Sequence, residues 1–186
     1  PVPPDPRFEA DLGFLGNRLP DREERVETFL LEPAARLPDR KFILGGSGWG
    51  NREMPANIRA IGHVPTGDHN TFNVTPMAVL NIARASMAET GFSPATRVFE
   101  AAGAGACLIT DDWKGIEMFL EPDEEVLVAR DGRDVCDLLA GLGHDRSRAI
   151  GRAAMQRVLR DHTYADRAEN VDRAFRAYFK AKVNAA

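Results

Sequence analysis

Between Ser93 and Glu100 the chain sets two hydroxyls, a guanidinium and a carboxylate at spacings that favour holding a ligand over cleaving one. Ser93 is a good N-cap and Pro94 a good first helical residue, so the spacing predicts a helix over 94–104. Its free N–H groups and positive dipole end suit a phosphate. Helical periodicity gathers Ser93, Thr96 or Arg97, and Glu100 on one side, while Val98, Phe99, Ala101 and Ala102 cover the packing side. From there Glu100 can accept both hydroxyls of a ribose or pair with Arg97 on a solvated face, and spacing alone leaves both open.

That helix needs a scaffold, and the apolar runs supply one. Short strands are expected at Asp11–Gly16, Lys41–Leu44, Ile58–Val64, Met77–Ile82, Ala106–Thr110 and Glu125–Ala129. Helices are expected over 21–37, 94–104, 115–119 and 132–142, then two long ones over 145–160 and 163–180. Strands alternating with helices predict an α/β fold, a Rossmann-like doubly wound parallel sheet of about six strands with two C-terminal helices. In such a sheet ligands sit beyond the carboxyl ends of the strands, where strand order reverses. The rule selects Gly16-Asn17-Arg18, the glycine run from Gly45, Gly62-His63-Val64, the loop from Asn81 to Pro94, and Thr110-Asp111-Asp112. Asn81, closing the fourth strand, is the amide best placed to read a sugar or a base.

The chain of 186 residues is 44% apolar and 28% charged, which fits one globular domain and excludes disordered and fibrous classes. Pro1–Pro6 predicts a linker or crossover segment over 1–10, ahead of a Rossmann-like domain over 11–143 completed by helices over 144–186. No run is long enough to span a bilayer and no signal peptide is legible. Cys107 and Cys136 lack metal-ligand spacing, which predicts reduced thiols in a cytoplasmic protein. Residues 144–182 hold ten Lys/Arg against five Asp/Glu, a charge of +5 that leaves −9 elsewhere in a chain of net −4. The acids are interspersed among the bases, so the expectation is a solvated face and no nucleic-acid partner.

Arg97-Val98-Phe99-Glu100-Ala101, Gly105-Ala106-Cys107-Leu108-Ile109-Thr110, Gly115-Ile116-Glu117-Met118-Phe119, Glu124-Glu125-Val126 and His162-Thr163-Tyr164-Ala165-Asp166-Arg167 together resemble the C-terminal domain of GT-B glycosyltransferases, closest to the CgeB-like (spore maturation protein-like) group. The similarity runs from about Asp11 to Arg167. It implies a metal-independent domain that holds a nucleoside-diphosphate sugar for transfer to an acceptor hydroxyl, with the donor as substrate and no cofactor. It implies also that the acceptor-binding N-terminal GT-B domain is missing here, so that the isolated half carries no catalytic residue and is inactive. Glu100 matches the second glutamate of the family's Glu-x7-Glu element, which binds the donor ribose, whereas the first glutamate falls at Phe92. Arg18 matches a basic residue that reaches the donor diphosphate, and the usual second basic residue is replaced by Asp21-Arg22. His63-Val64 matches the strand end where the base docks. The competing expectation is a non-catalytic nucleotide or sugar-phosphate binding module.

Other signals point less far. Gly45-Gly46-Ser47-Gly48-Trp49-Gly50 lacks the third glycine of a dinucleotide fingerprint and predicts a flexible pocket-side loop, with Trp49 either stacking on a ligand or packing on its own domain. His63 and His69 fall in a Pro/Gly segment without zinc spacing. Asp111-Asp112 suits a cap for the following helix. Tyr164, Ala168, Val171, Phe175, Tyr178 and Phe179 form an apolar stripe on the last helix, which predicts a homodimer through that helix or a mobile helix.

Overall fold

Six strands, Leu12–Leu15 (β1), Phe42–Gly45 (β2), Ile58–Gly62 (β3), Ala78–Asn81 (β4), Leu108–Asp111 (β5) and Leu127–Ala129 (β6), pair in parallel in the order β3-β2-β1-β4-β5-β6. The computed structural model describes residues 2–184, with side chains through Lys180. The expected doubly wound α/β sheet is therefore present. Strand residues alternate between two apolar layers, as pleating requires. Phe14, Phe42, Leu44, Leu80 and Ile109 face one layer; Leu15, Ile43, Val79 and Leu108 face the other.

The first layer is covered by the helical run after β1 and by α6 (Gly132–Gly141). That run comprises α1 (Glu23–Val26), a π-helical turn Glu27–Leu31 and α2 (Glu32–Arg36). Pro33 accounts for the π turn, since proline has no N–H to donate and its ring crowds the carbonyl four residues back. The second layer is covered by α3 (His69–Val74), α5 (Thr96–Ala104) and α7 (His144–Asp161).

The structure corrects several expectations. His69 opens α3 inside the segment read as a Pro/Gly loop, and α4 (Ala85–Thr90) forms within the loop expected from Asn81 to Pro94. Within the expected linker or crossover segment two residues are fixed to the domain: the Asp5 N–H donates to Thr75 Oγ1, and Phe8 is buried with its ring edge-on to Phe72. The glycine run is ordered too. Arg18 N–H donates to Ser47 O, Ser47 N–H to Asn17 Oδ1, Gly16 N–H to Gly45 O and Gly46 N–H to Gly62 O, so pairing continues past the strand ends.

The small residues Ala101–Ala106 exist to let α7 approach. A Cβ on Gly151 of α7 would stand 2.1 Å from Gly105 O, and Gly105 itself closes α5 at φ +90. Both cysteines are free; burial pushes the Cys107 thiol up to about 12 and leaves it inert.

Beyond α7 the chain turns at His162 into α8 (Tyr164–Asn184). Thr163 and Asp166 bond reciprocally across the first turn of α8 in a capping-box arrangement. The His162 ring packs at a tilt against Phe99 and Phe119, its Nε2 lies 2.9 Å from Phe119 O and its Nδ1 2.8 Å from Arg167 Nη2. This pattern fits a neutral ring that donates from Nε2 and accepts at Nδ1. From residue 168 to Lys180 every side chain of α8 is exposed.

Two outcomes are expected. Gly151→Ala should destabilise the domain by about 1–3 kcal/mol through overpacking against backbone, read as a lowered denaturant midpoint at unchanged slope. Burial lowers the His162 pKa from its ordinary 6.5, opposed by the Phe119 carbonyl. The unfolded chain then binds more protons just below pH 6.5, so the contribution of this ring is full above that value and is lost as pH falls through the folded pKa. Thermal unfolding between pH 7.5 and 5 should show a decline that His162→Phe flattens; parallel curves for the two proteins would remove His162 as the cause.

Candidate functional site

A crevice of about 320 Å³ opens beyond the carboxyl ends of the strands, over β1 and its neighbours β2 and β4. Gly16 and Asn17 after β1, Gly46 after β2, and Asn81 and Ile82 after β4 form its base. His63, Val64, Thr66 and His69 close one end, and Ala95, Thr96 and Arg97 at the start of α5 close the other. The floor is largely backbone. A Cβ on Gly46, at φ +123, would stand 2.2 Å from Gly16 O, so only glycine permits the two loops to meet. Trp49 is buried, with its indole N–H donating to Gly16 O at 2.8 Å. It braces the floor from within the domain and does not stack in the crevice.

Arg22 enters this space from the N-cap position of α1. It continues the inward stripe of Val26, Phe29 and Leu30 by one turn, which carries it past the end of the sheet. Its Nε is buried with no hydrogen-bond partner among the described residues. Burial lowers its pKa; Asp21 and Asp111 oppose this, while Arg84 and Arg97 push it further down. Arg97 is similarly lowered by burial, with Glu100 opposing, and its Nη1 lies 3.5 Å from Asn73 Oδ1. Two part-buried guanidinium groups thus share one crevice with a third cation nearby. Such an arrangement is relieved by an anion with several acceptor oxygens.

A second network ties the walls together. Asp111, ending β5, has no solvent exposure and accepts from Arg25 Nη2 at 2.5 Å and from the Ala83 N–H at 3.1 Å. Asn81 Nδ2 donates to Thr110 Oγ1 at 3.0 Å beside it. Arg84 Nε donates to Asp21 at 2.6 Å and the Ala85 N–H to Asp21 O, tying the β1 loop to the β4 loop.

His63, Val64, Asn81, Thr96 and Arg97, singled out in the sequence, all line the crevice. Three others stand elsewhere. Ser93 is not the N-cap of α5: Ala95 is, without a side-chain bond, because the helix starts two residues later than expected. Arg18 lies outside the lining with its guanidinium bonded to Glu23, and Arg22 takes the inward place. Glu100 is half exposed, 3.5 Å from Arg97, so of its two open readings the structure displays the ion pair. Asp111 does not cap a following helix; it is spent on Arg25 and Ala83. Phe92, where the resemblance has a glutamate, holds a left-handed φ of +52 and donates its N–H to Lys114 O. That conformation is strained for a bulky residue. Among the described residues no group of His, Cys, Asp and Glu is arranged to hold a metal ion, and no helix is long and apolar enough to cross a membrane.

The profile of the family described as glycosyl transferase-like matches residues 22–173. The chain belongs to that family. Solved structures agree on the fold. Sucrose-phosphate synthase from Thermosynechococcus elongatus superposes with a TM-score of 0.71 at 15% identity, covering 95% of this chain and 47% of that one. Anabaena Alr3699/HepE in complex with UDP and glucose gives 0.70 at 10% identity, covering 91% and 48%. AviGT4, a glycosyltransferase involved in avilamycin A biosynthesis, gives 0.54 at 23% identity, covering 80% and 47%. This member of the family thus spans about half the length of these three solved structures. No curated protein matches its sequence.

Proposed function

We propose that the crevice holds a nucleoside-diphosphate sugar and that the chain is the donor-binding half of a metal-independent GT-B glycosyltransferase of the CgeB-like group. One observation carries the reading: Arg22 and Arg97, both lowered by burial, converge on one cavity at the strand-order reversal. The HepE structure, which holds UDP and glucose on the same fold, supports it. Asn81 and the His63-Val64 turn are the polar groups available to the nucleoside. Glu100 takes the ribose hydroxyls by turning from its exposed pairing with Arg97.

In the reaction an acceptor hydroxyl attacks the anomeric carbon, and the bond to the diphosphate breaks with its electron pair leaving on the phosphate oxygen. Arg22 and Arg97 meet the charge that develops there, the form of stabilisation that benefits most from a site already built and shielded from water. The acceptor and its base come from a second domain. Two free thiols fit a cytoplasmic setting. A non-catalytic nucleotide or sugar-phosphate module remains the competing function, favoured by Phe92 standing where a sugar-contacting carboxylate is expected; sugar transfer by the protein joined to its second domain separates the two.

The extent of the chain relative to its structural matches also gives the exposed face of α8 a role. Val171, Phe175 and Phe179 are 54%, 58% and 60% exposed along one helix. We read this face as the side turned to the second domain, and as the contact through which the isolated chain pairs with itself.

Arg22→Ala should weaken UDP, or whichever of GDP, TDP and ADP binds best, by about 1.5–3 kcal/mol, the range for charged hydrogen bonds. Arg18→Ala should have a smaller effect, and titration calorimetry giving the reverse order would move the diphosphate to the Arg18 loop. Glu100→Gln should weaken the nucleoside as well as the nucleotide; unchanged nucleoside affinity would remove Glu100 from the ribose. The isolated chain should self-associate at rising concentration in light scattering, and Phe175→Glu should return it to monomer. A strict monomer with strong hydrogen-exchange protection throughout α8 would contradict that role.

A further inference from the structure

Asp111 is a fully buried carboxylate that the proposed chemistry does not use. Buried ion pairs seldom stabilise a fold relative to apolar side chains of equal volume, so such a pair invites a search for what it positions. Its partners belong to the two walls of the crevice. Arg25 Nη2, from α1, reaches it at 2.5 Å, and the Ala83 N–H, from the turn after β4, lies 3.1 Å from both oxygens. Arg25 is further fixed by the Phe29 ring, 5.3 Å from its guanidinium carbon. One turn of helix separates Arg25 from Arg22, and the Arg22 carbonyl accepts the Val26 N–H that opens this turn. Anchoring Arg25 therefore sets where Arg22 enters the crevice. Asp111 is also one of two carboxylates whose charge reaches Arg22, the other being Asp21, which is already bonded to Arg84.

We infer that Asp111 and Arg25 are positioning residues for Arg22: the buried pair fixes the first turn of α1 against the β4 turn and so holds the Arg22 guanidinium ready for a diphosphate. The inference rests on the proposed donor site and adds the part of the molecule that prepares it. Asp111 touches no ligand. Its effect falls mainly on the phosphate end of the crevice, since Arg22 is the group it holds; its contact with Asn81, at 3.5 Å, is long, and the His63-Val64 turn follows β3, at the far edge of the sheet.

The test is a double-mutant cycle read by calorimetry with the best-binding nucleoside diphosphate of UDP, GDP, TDP and ADP and with its parent nucleoside. Asp111→Asn should weaken the diphosphate about tenfold, a coupling of about 1.4 kcal/mol, and the nucleoside by much less. In an Arg22→Ala background the same substitution should have no further effect. A loss that persists undiminished in that background, or that falls equally on the nucleoside, would overturn the positioning role. Failure of the parent chain to bind any of the four diphosphates would overturn both this inference and the donor-site reading. Should Asp111→Asn fold poorly, Arg25→Lys keeps the charge without the planar fork and should act in the same direction. The buried Arg22 Nε–H offers a ligand-free signature. Its slowly exchanging signal in nitrogen–proton NMR spectra of the parent should shift or vanish in either variant, and an unmoved signal would count against the proposal.

Discussion

β1 is hydrogen-bonded to β2 on one side and to β4 on the other, so the chain leaves the two halves of the sheet in opposite directions above it. Nothing can pack directly over its carboxyl end without blocking one crossover or the other. The opening is thus a consequence of strand order, and α1, α5 and the turns after β2 and β4 are held around it by the same apolar layers that hold the sheet together. A ligand site of this kind requires no special cavity-forming sequence. It requires only side chains long enough to reach back over the end of the sheet.

Arg22 and Arg97 are such side chains, and their placement has an electrostatic price. Each loses solvation on burial, and each stands near other cations. The domain offsets this with carboxylates just outside the opening, Asp21 and Asp111 for Arg22 and Glu100 for Arg97. The two near Arg22 are bonded chiefly to other groups, Asp21 to Arg84 and Asp111 to Arg25. The compensation is partial, and the crevice remains a place where added negative charge is favourable.

The fold was legible in the sequence because six apolar runs, each too short for a helix, alternate with helical patterns, and parallel pairing is then almost forced. Lining residues at strand ends, Val64 and Asn81 among them, were legible for the same reason. What failed was local. Ser93-Pro94 has the chemistry of a helix start, but Gly91 and Phe92 are pinned against Lys114, and the helix begins only after Ala95. Arg18 was the nearest basic residue to β1, yet the facing of α1, readable from Val26 and Phe29, puts Arg22 inward. The glycine run looked flexible because glycine is permissive in isolation; in place, its backbone continues the pairing of β1 and β2.

That floor of backbone separates two tasks that many binding sites combine in the same residues. Gly16, Gly46 and the buried Trp49 bond to one another's loops and to neighbouring backbone, so their positions depend on no exposed side chain. The side chains that vary the chemistry of the opening stand at its rim, among them His63, Thr66, His69 and Thr96. Rim residues can be exchanged without disturbing the bed beneath them, which makes this domain a chassis whose chemistry at the opening can be altered while its shape is conserved.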